Sequence, residues 1–210
     1  MTTQTTTAQV SHKLVQINSS LFSGQGQSSA LADQFVAKWQ AAHADGVVIR
    51  HDLASEAVPH LDGERFLSFL AKPEERSEAQ QAVVAYSDAL INELRAADTI
   101  VVGLPLYNLG VPSQLKAYFD HIARAGETFR YTSTGVEGLL TGKKAFVFAT
   151  RGGQYAGTPL DSQTNYVRDF FWLIGITDVK FIYAEGLARS GGVKEAALAQ
   201  AHEQLEALAV

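Results

Sequence analysis

Thr99-Ile100-Val101-Val102-Gly103-Leu104-Pro105-Leu106-Tyr107-Asn108 carries an unbroken apolar run that stops at a proline, then offers an aromatic ring and an amide. A continuous run, as opposed to an alternating one, is what a strand buried on both faces requires, and such strands occupy the middle of parallel sheets. The strand is expected over 99–104, with Pro105 ending it.

Outward from this strand the same theme recurs. KLVQIN at 13–18 and KKAFVFAT at 143–150 are apolar strands that also stop at small polar residues and lead into helices. Leu31, Phe35, Trp39 and Ala42 recur at helical spacing and give a helix over 27–44; Gly46 restarts the chain, and VVIR at 47–50 makes a short second strand. Further helices are expected over 78–97, 112–125, 161–175 and 195–208, with a last strand over 179–184. Pro112 suits a first helical turn and Gly126 a helix stop. Strands and helices alternating in this way imply right-handed parallel crossovers. The expected fold class is α/β: a three-layer, doubly wound, five-stranded parallel sheet of order 2-1-3-4-5. Only 54–77 departs from the pattern. There Pro59, Asp62-Gly63, Pro73 and a run of charges surround Phe66, Leu67, Phe69 and Leu70, which read either as a short helix burying against a site rim or another subunit, or as a surface helix capping the core.

At 210 residues and 46% hydrophobic content the chain has material for one core, so a single domain is expected over 12–210. Residues 1–11 are rich in Thr and Gln and are expected to form a disordered tail, without the apolar centre of a signal peptide. The chain has no cysteine, which removes disulfides, thiolate metal sites and cysteine nucleophiles together. A formal net charge of −5 without a basic cluster argues against nucleic acid as a partner. No stretch approaches the length of a membrane span, and a soluble cytoplasmic protein is expected.

In a doubly wound sheet, ligands bind beyond the carboxyl ends of the strands. Three strand ends matter here. After Asn18, Ser20, Gln27, Ser28 and Ser29 offer hydroxyls and an amide around the start of a helix, where unpaired N–H groups favour an anion; an ordinary capped turn is the alternative. The loop holds no lysine, so neutral donors suit a single monophosphate better than a triphosphate. Gly24 and Gly26 also hint at a dinucleotide fingerprint with Asp52 on a ribose, but the first glycine comes six residues after Asn18 and Ser29 takes the third glycine's position. After Leu104, the turn Pro105-Leu106-Tyr107-Asn108-Leu109-Gly110 exposes apolar surface that either a flat ring covers or Tyr107 packs away on the next helix. After Ala149, Thr150-Arg151-Gly152-Gly153 brings paired glycines whose N–H groups could meet a ring's carbonyl edge; a plain glycine turn is the alternative. Such a mouth suits a flat cofactor bearing one phosphate. Other chemistry is thin: no GxSxG or HExxH occurs, the histidines lack metal-ligand spacing, 138–144 is a turn feeding a strand and not a P-loop, and His121 beside Asp120 reads as a proton donor or a packed side chain.

Taken together, Ser19-Ser20 with Gly26-Gln27-Ser28-Ser29, Pro105-Leu106-Tyr107-Asn108, Gln114-Leu115-Lys116-x-Tyr118-Phe119-Asp120, Ala123-Arg124-Ala125-Gly126, Thr128-Phe129-Arg130-Tyr131-Thr132, Gly138-Leu139 with Gly142-Lys143-Lys144, Arg151-Gly152-Gly153 and Gly175-Ile176-Thr177-Asp178 resemble the bacterial FMN-dependent NADH-azoreductases. The resemblance runs from Lys13 to about Gly186. It implies a flavodoxin-like homodimer that binds one FMN per subunit, with active sites at the interface. It puts the phosphate on Ser20, Gly26, Gln27 and Ser28, the ring on Pro105, Leu106, Tyr107, Asn108 and Leu109, and the pyrimidine edge on Thr150, Arg151, Gly152 and Gly153. Tyr131 and Asn108 would orient substrate, with Phe171 or Trp172 as an aromatic wall. Family members often carry Ser at 26, Met at 106, Phe at 109 and Ser at 150, so this chain has lost a hydroxyl and altered the ring pocket. The implied chemistry is hydride transfer from NADH or NADPH through FMN to a quinone or an azo compound in a ping-pong cycle, with no protein acid/base pair. Competing readings are a quinone reductase with incidental azo activity, an electron-carrier flavodoxin, an NAD-binding Rossmann protein and a sensor domain without flavin.

Overall fold

The computed structural model describes residues 12–210, so the tail expected over 1–11 lies outside the described residues. β3 (Thr99–Pro105) is buried at every position, as its apolar run requires. It pairs in parallel with β1 (Lys13–Asn18) on one side and β6 (Lys144–Thr150) on the other, while β2 (Val47–Asp52) and β7 (Asp178–Ala184) form the edges. The order β2-β1-β3-β6-β7 matches the expected 2-1-3-4-5 for the main sheet.

Successive strand residues point to opposite faces, and this alternation divides the apolar residues into two clusters. Leu14, Val101, Phe146 and Phe148 face α1 (Gln27–Ala42) and α6 (Val193–Glu206), meeting Phe35, Trp39 and Leu205. Val15, Ile17, Ile100, Val102, Leu104 and Val147 face the other way, toward Ile91 and Leu94 of α3 (Glu78–Ala96), Phe119 of α4 (Ser113–Ile122) and Phe171 of α5 (Ser162–Ile174). Both edge strands carry charged or titratable side chains in partly open positions: Arg50, His51 and Asp52 on β2, Asp178 and Lys180 on β7.

Several boundaries shift for identifiable reasons. α4 is expected to run to Ala125 but ends at Ile122, because the Thr128 hydroxyl donates to the Ile122 carbonyl at 2.6 Å and accepts the Arg124 N–H at 3.1 Å. Asp161 caps α5 from outside, accepting the Thr164 N–H, and Gly175 ends that helix in the left-handed region at φ 99°. α3 opens on a reciprocal capping box between Ser77 and Gln80. The irregular 54–77 stretch does form a short helix, α2 (Gly63–Leu70), but Phe66, Leu67 and Leu70 remain exposed on it.

One element goes beyond the sequence reading. β4 (Phe129–Thr132) and β5 (Gly135–Gly138) make an antiparallel hairpin outside the main sheet. FRYT and GVEG are mostly exposed and lack an apolar alternation. Arg130 and Glu137, directly opposed, add an exposed bidentate ion pair at 2.8 and 2.9 Å to the backbone ladder. The hairpin is fixed to the end of α5 by glycine packing: a Cβ on Gly138 would lie 2.0 Å from the Gly175 nitrogen.

Candidate functional site

Because β1, β3 and β6 are neighbours in register, their carboxyl ends lie side by side, and the three loops leaving them meet. The first loop is closed around glycines. Gly103 lets the start of α1 approach the sheet, since a Cβ there would meet Asn18 Oδ1 at 2.8 Å and the Ser28 carbonyl at 3.2 Å. Gly26 lies against Ser20 so closely that a Cβ would fall 2.2 Å from the Ser20 hydroxyl oxygen. A larger residue at 26 would therefore have to push the Ser20 side chain aside. At α1 no side chain caps the helix, and the first carbonyl used by it is that of Gly26, bonded by the Ala30 N–H at 2.9 Å. The hydroxyls of Ser28 and Ser29 are buried and have no hydrogen-bond partner among the described residues. A helix entrance with open amides and unpartnered hydroxyls is an anion cradle.

Asp52 is committed elsewhere. Its carboxylate accepts the Ser23 hydroxyl and the Ala54 N–H, anchoring the loop to β2. The ribose role considered for it in a dinucleotide reading has no support in this arrangement.

The second loop turns tightly. Tyr107 and Gly110 exchange backbone hydrogen bonds across Asn108 and Leu109, both with positive φ, 51° and 58°. That is the geometry of a type I′ turn, which favours Asn and Gly and strains a leucine. Support comes from α5: Gln163 Nε2 donates to the Pro105 carbonyl at 2.9 Å and the Gly110 carbonyl at 3.3 Å, and the Ser162 hydroxyl donates to the Leu109 carbonyl. The Tyr107 hydroxyl reaches the first loop, accepting the Leu21 N–H at 3.3 Å and lying 3.5 Å from Ser20 Oγ. Tyr107 thus joins two of the expected binding loops instead of packing on α4.

The third loop is zipped on one side only. The carbonyls of Arg151, Gly152 and Gly153 accept the N–H groups of Leu187, Ala188 and Gly186 at 3.0, 3.1 and 2.8 Å. The loop's acceptors are thus used up against the segment after β7, and the Gly152 and Gly153 amides remain as donors. Thr150 is buried at the end of β6, where its carbonyl accepts the Leu106 N–H. Arg151 departs from expectation: only 1% exposed, its side chain points into the protein and not into the mouth. It donates to Glu185 Oε1 at 3.1 Å, Asp161 Oδ1 at 2.8 Å and Thr164 Oγ1 at 2.9 Å, and lies over the Tyr183 ring. Burial pushes the Asp161 carboxyl upward, but the hydrogen bonds from Arg151 and Thr164 outweigh it and hold the group below its ordinary range.

The substrate-orienting candidates differ in exposure. Phe171 is 1% exposed and edge-on to Phe119 and Phe170 in the core, so it cannot wall a binding site. Its neighbour Trp172 is 57% exposed on α5. Tyr131, 75% exposed, stands on the hairpin and borders a separate hollow of about 340 Å³ with Phe66, Phe69 and Arg124. His121 is fully buried, its Nε2 bonded to the Pro59 carbonyl at 2.9 Å, and is a packing residue. The supporting groups Ser162, Gln163, Asp161, Thr164 and Glu185 escape the sequence reading. Their only signal is a cluster of polar residues at a helix start and just past a strand end.

Residues 12–209 match the model of a family described by its flavodoxin-like fold. An FMN-dependent NADH:quinone oxidoreductase of Cellvibrio japonicus is 52% identical over 193 residues, covering 92% of this chain and 96% of that protein. The chain belongs to this flavodoxin-like family. Among solved structures, an azoreductase of Bacillus anthracis superposes with a TM-score of 0.84 at 28% identity, covering 93% of this chain and 97% of the other. An FMN-dependent NADH-azoreductase of the same species, in complex with FMN, superposes with a TM-score of 0.82 at 26% identity, covering 93% and 98%.

The residues present fit FMN on their own chemistry. Open amides and the orphaned Ser28 and Ser29 hydroxyls suit its phosphate, the apolar turn at Leu106 to Leu109 suits its ring, and the Gly152 and Gly153 amides suit a carbonyl edge.

Proposed function

We propose that this doubly wound, three-layer protein is an FMN-dependent NADH:quinone oxidoreductase that also reduces azo compounds. The observation that carries the reading is the convergence of an uncapped helix entrance, with unpartnered Ser28 and Ser29 hydroxyls, and two further loops whose free donors and apolar side chains share one sheet end. Ser20, Gly26, Gln27 and Ser28 hold the phosphate. Pro105, Leu106, Tyr107, Asn108 and Leu109 form the ring wall; in the third loop Gly152 and Gly153 carry the pyrimidine edge through their amides, and Thr150 and Arg151, whose backbone groups are bonded within the fold, hold the strand end that presents them. Bound FMN supplies the two-electron chemistry, accepting hydride from NADH or NADPH and delivering it in one round to a quinone, or in two rounds to an azo bond that becomes two amines.

The protein's part is to bind, orient and exclude water. Asn108 offers an amide that both donates and accepts at the exposed tip of its turn, where a bound molecule's polar atoms can be met. The glycine amides strengthen as hydrogen-bond donors when negative charge builds opposite them.

The apolar side chains left open support a homodimer with active sites at the interface. Phe66, Leu67, Leu70, Tyr131 and Trp172 are large apolar groups left exposed, the kind of surface a partner covers, and Tyr131, at 75% exposure, is available to a partner's mouth. A cytoplasmic setting, where reduced nicotinamide is supplied, suits this function.

Steady-state NADH oxidation by the FMN-loaded protein, with a quinone and an azo dye compared, tests the reading. Both acceptors are expected to turn over with parallel-line kinetics, and the protein to sediment as a dimer. Intersecting lines would contradict a shared site, and an active monomer would remove the interface.

A further inference from the structure

The two loops proposed to wall the ring are not independent, because both are indexed on the first turn of α5. On one side, Arg151 leaves the third loop and puts its guanidinium, without exposed surface, between Asp161, Thr164 and Glu185. Asp161 caps α5 and Thr164 lies in its first turn. Glu185 Oε1 in addition accepts the Tyr155 and Ala156 N–H groups, each at 2.9 Å, so the same hub steadies the chain that follows the glycines. On the other side, Ser162 and Gln163 from that same turn grip the Pro105, Leu109 and Gly110 carbonyls of the second loop.

We propose that the buried set Arg151, Asp161 and Gln163 is a positioning network that sets the spacing between the second and third loops, and through it the grip on FMN, without any of its side chains touching the cofactor. The inference rests on the functional reading above. Its physical basis is the guanidinium fork: planar and multidentate, it fixes three acceptors at once, where a lysine would satisfy them only as a point charge. Gln163 is matched to its task because one amide nitrogen bridges two carbonyls on opposite limbs of the turn.

The test uses the full chain with Arg151→Lys, Gln163→Met and the double variant, measuring FMN dissociation constants by fluorescence, flavin midpoint potential, and thermal unfolding. Each single variant is expected to weaken FMN about five- to tenfold, the equivalent of one lost hydrogen bond. The double variant is expected to fall well short of the product of the two, since both act through one helical turn. Arg151→Lys should also make the midpoint potential more negative, because loosened Gly152 and Gly153 amides stabilise the reduced ring less. A purely structural role would lower the unfolding temperature while leaving affinity and potential unchanged at temperatures where the variants are folded, and that result overturns the proposal. Full multiplicativity in the double variant overturns the shared spacing. Gln163→Met keeps the test open if Arg151→Lys does not fold. A wild-type protein that fails to bind FMN would instead sink the functional reading and this inference with it, whereas wild-type binding with unchanged variants sinks the inference alone.

Discussion

Two residues carry opposite kinds of tension at the mouth. Gly26 is a fit so close that adding one carbon would displace Ser20, whose Cβ would then lie 2.6 Å away. Gly26→Ala is expected to lower FMN affinity at least about tenfold, a loss of about 1.4 kcal/mol, with little change in the unfolding midpoint of the FMN-free protein. Equal affinity by fluorescence titration would show that the first loop does not hold phosphate. Leu109, by contrast, is a branched side chain held at φ 58°. A left-handed non-glycine residue costs about 1–2 kcal/mol, so Leu109→Gly is expected to raise the urea midpoint of the FMN-free protein while thinning the ring wall. A lower midpoint would mean that packing, not backbone strain, dominates there.

At the scale of elements, the weakest sequence signal belongs to a piece with a demanding fit. The β4–β5 hairpin meets α5 where Gly138 and Gly175 touch backbone to backbone. Gly138→Ala has no flexible side chain to push aside and is expected to cost about 3 kcal/mol, read as a fall in thermal midpoint and as exposure of the hairpin to protease. Normal stability would mean the hairpin stands off the helix. The main strands were legible because burial on both faces leaves continuous apolar runs, as in β3. The hairpin was not, because Thr132 and Glu137 bond only within the hairpin, and the fit of Gly138 against Gly175 joins residues far apart along the chain. The site divides the same way. Ser20, Tyr107 and Gly152 stand where strand ends must release them, whereas Gln163 and Glu185 act across distances of 58 and 30 residues that no local pattern encodes. Phe171 and Trp172 are adjacent in sequence and opposite in fate, since one helical step of 100° separates core from surface.

For the whole molecule, two histidines set opposing slopes of stability against pH. His51 on β2 bonds Glu93 at 2.6 Å and Glu56 at 3.3 Å; chiefly the Glu93 hydrogen bond, against the pull of burial, raises its pKa above the ordinary 6.5. A raised folded value stabilises fully below the unfolded pKa and fades as pH climbs through the folded one. His121 runs the other way: burial lowers its pKa, so its contribution is present above 6.5 and lost as pH falls through the lowered value. His51→Gln is therefore expected to cost about 1–2 kcal/mol near pH 6 and less near pH 9, whereas His121→Gln should flatten the acid limb of the wild-type profile. Urea titrations across that range check both, and a His51→Gln deficit independent of pH would refute the charged bridge.

The borders of the main sheet have a consequence for behaviour in concentrated solution. β2 offers Arg50 and Asp52 along its rim, and β7 offers Asp178 and Lys180. A foreign strand adding to either rim would have to strip water from those ions, so ribbon-like polymerisation is discouraged. Encounters with other molecules are left to the helices and loops.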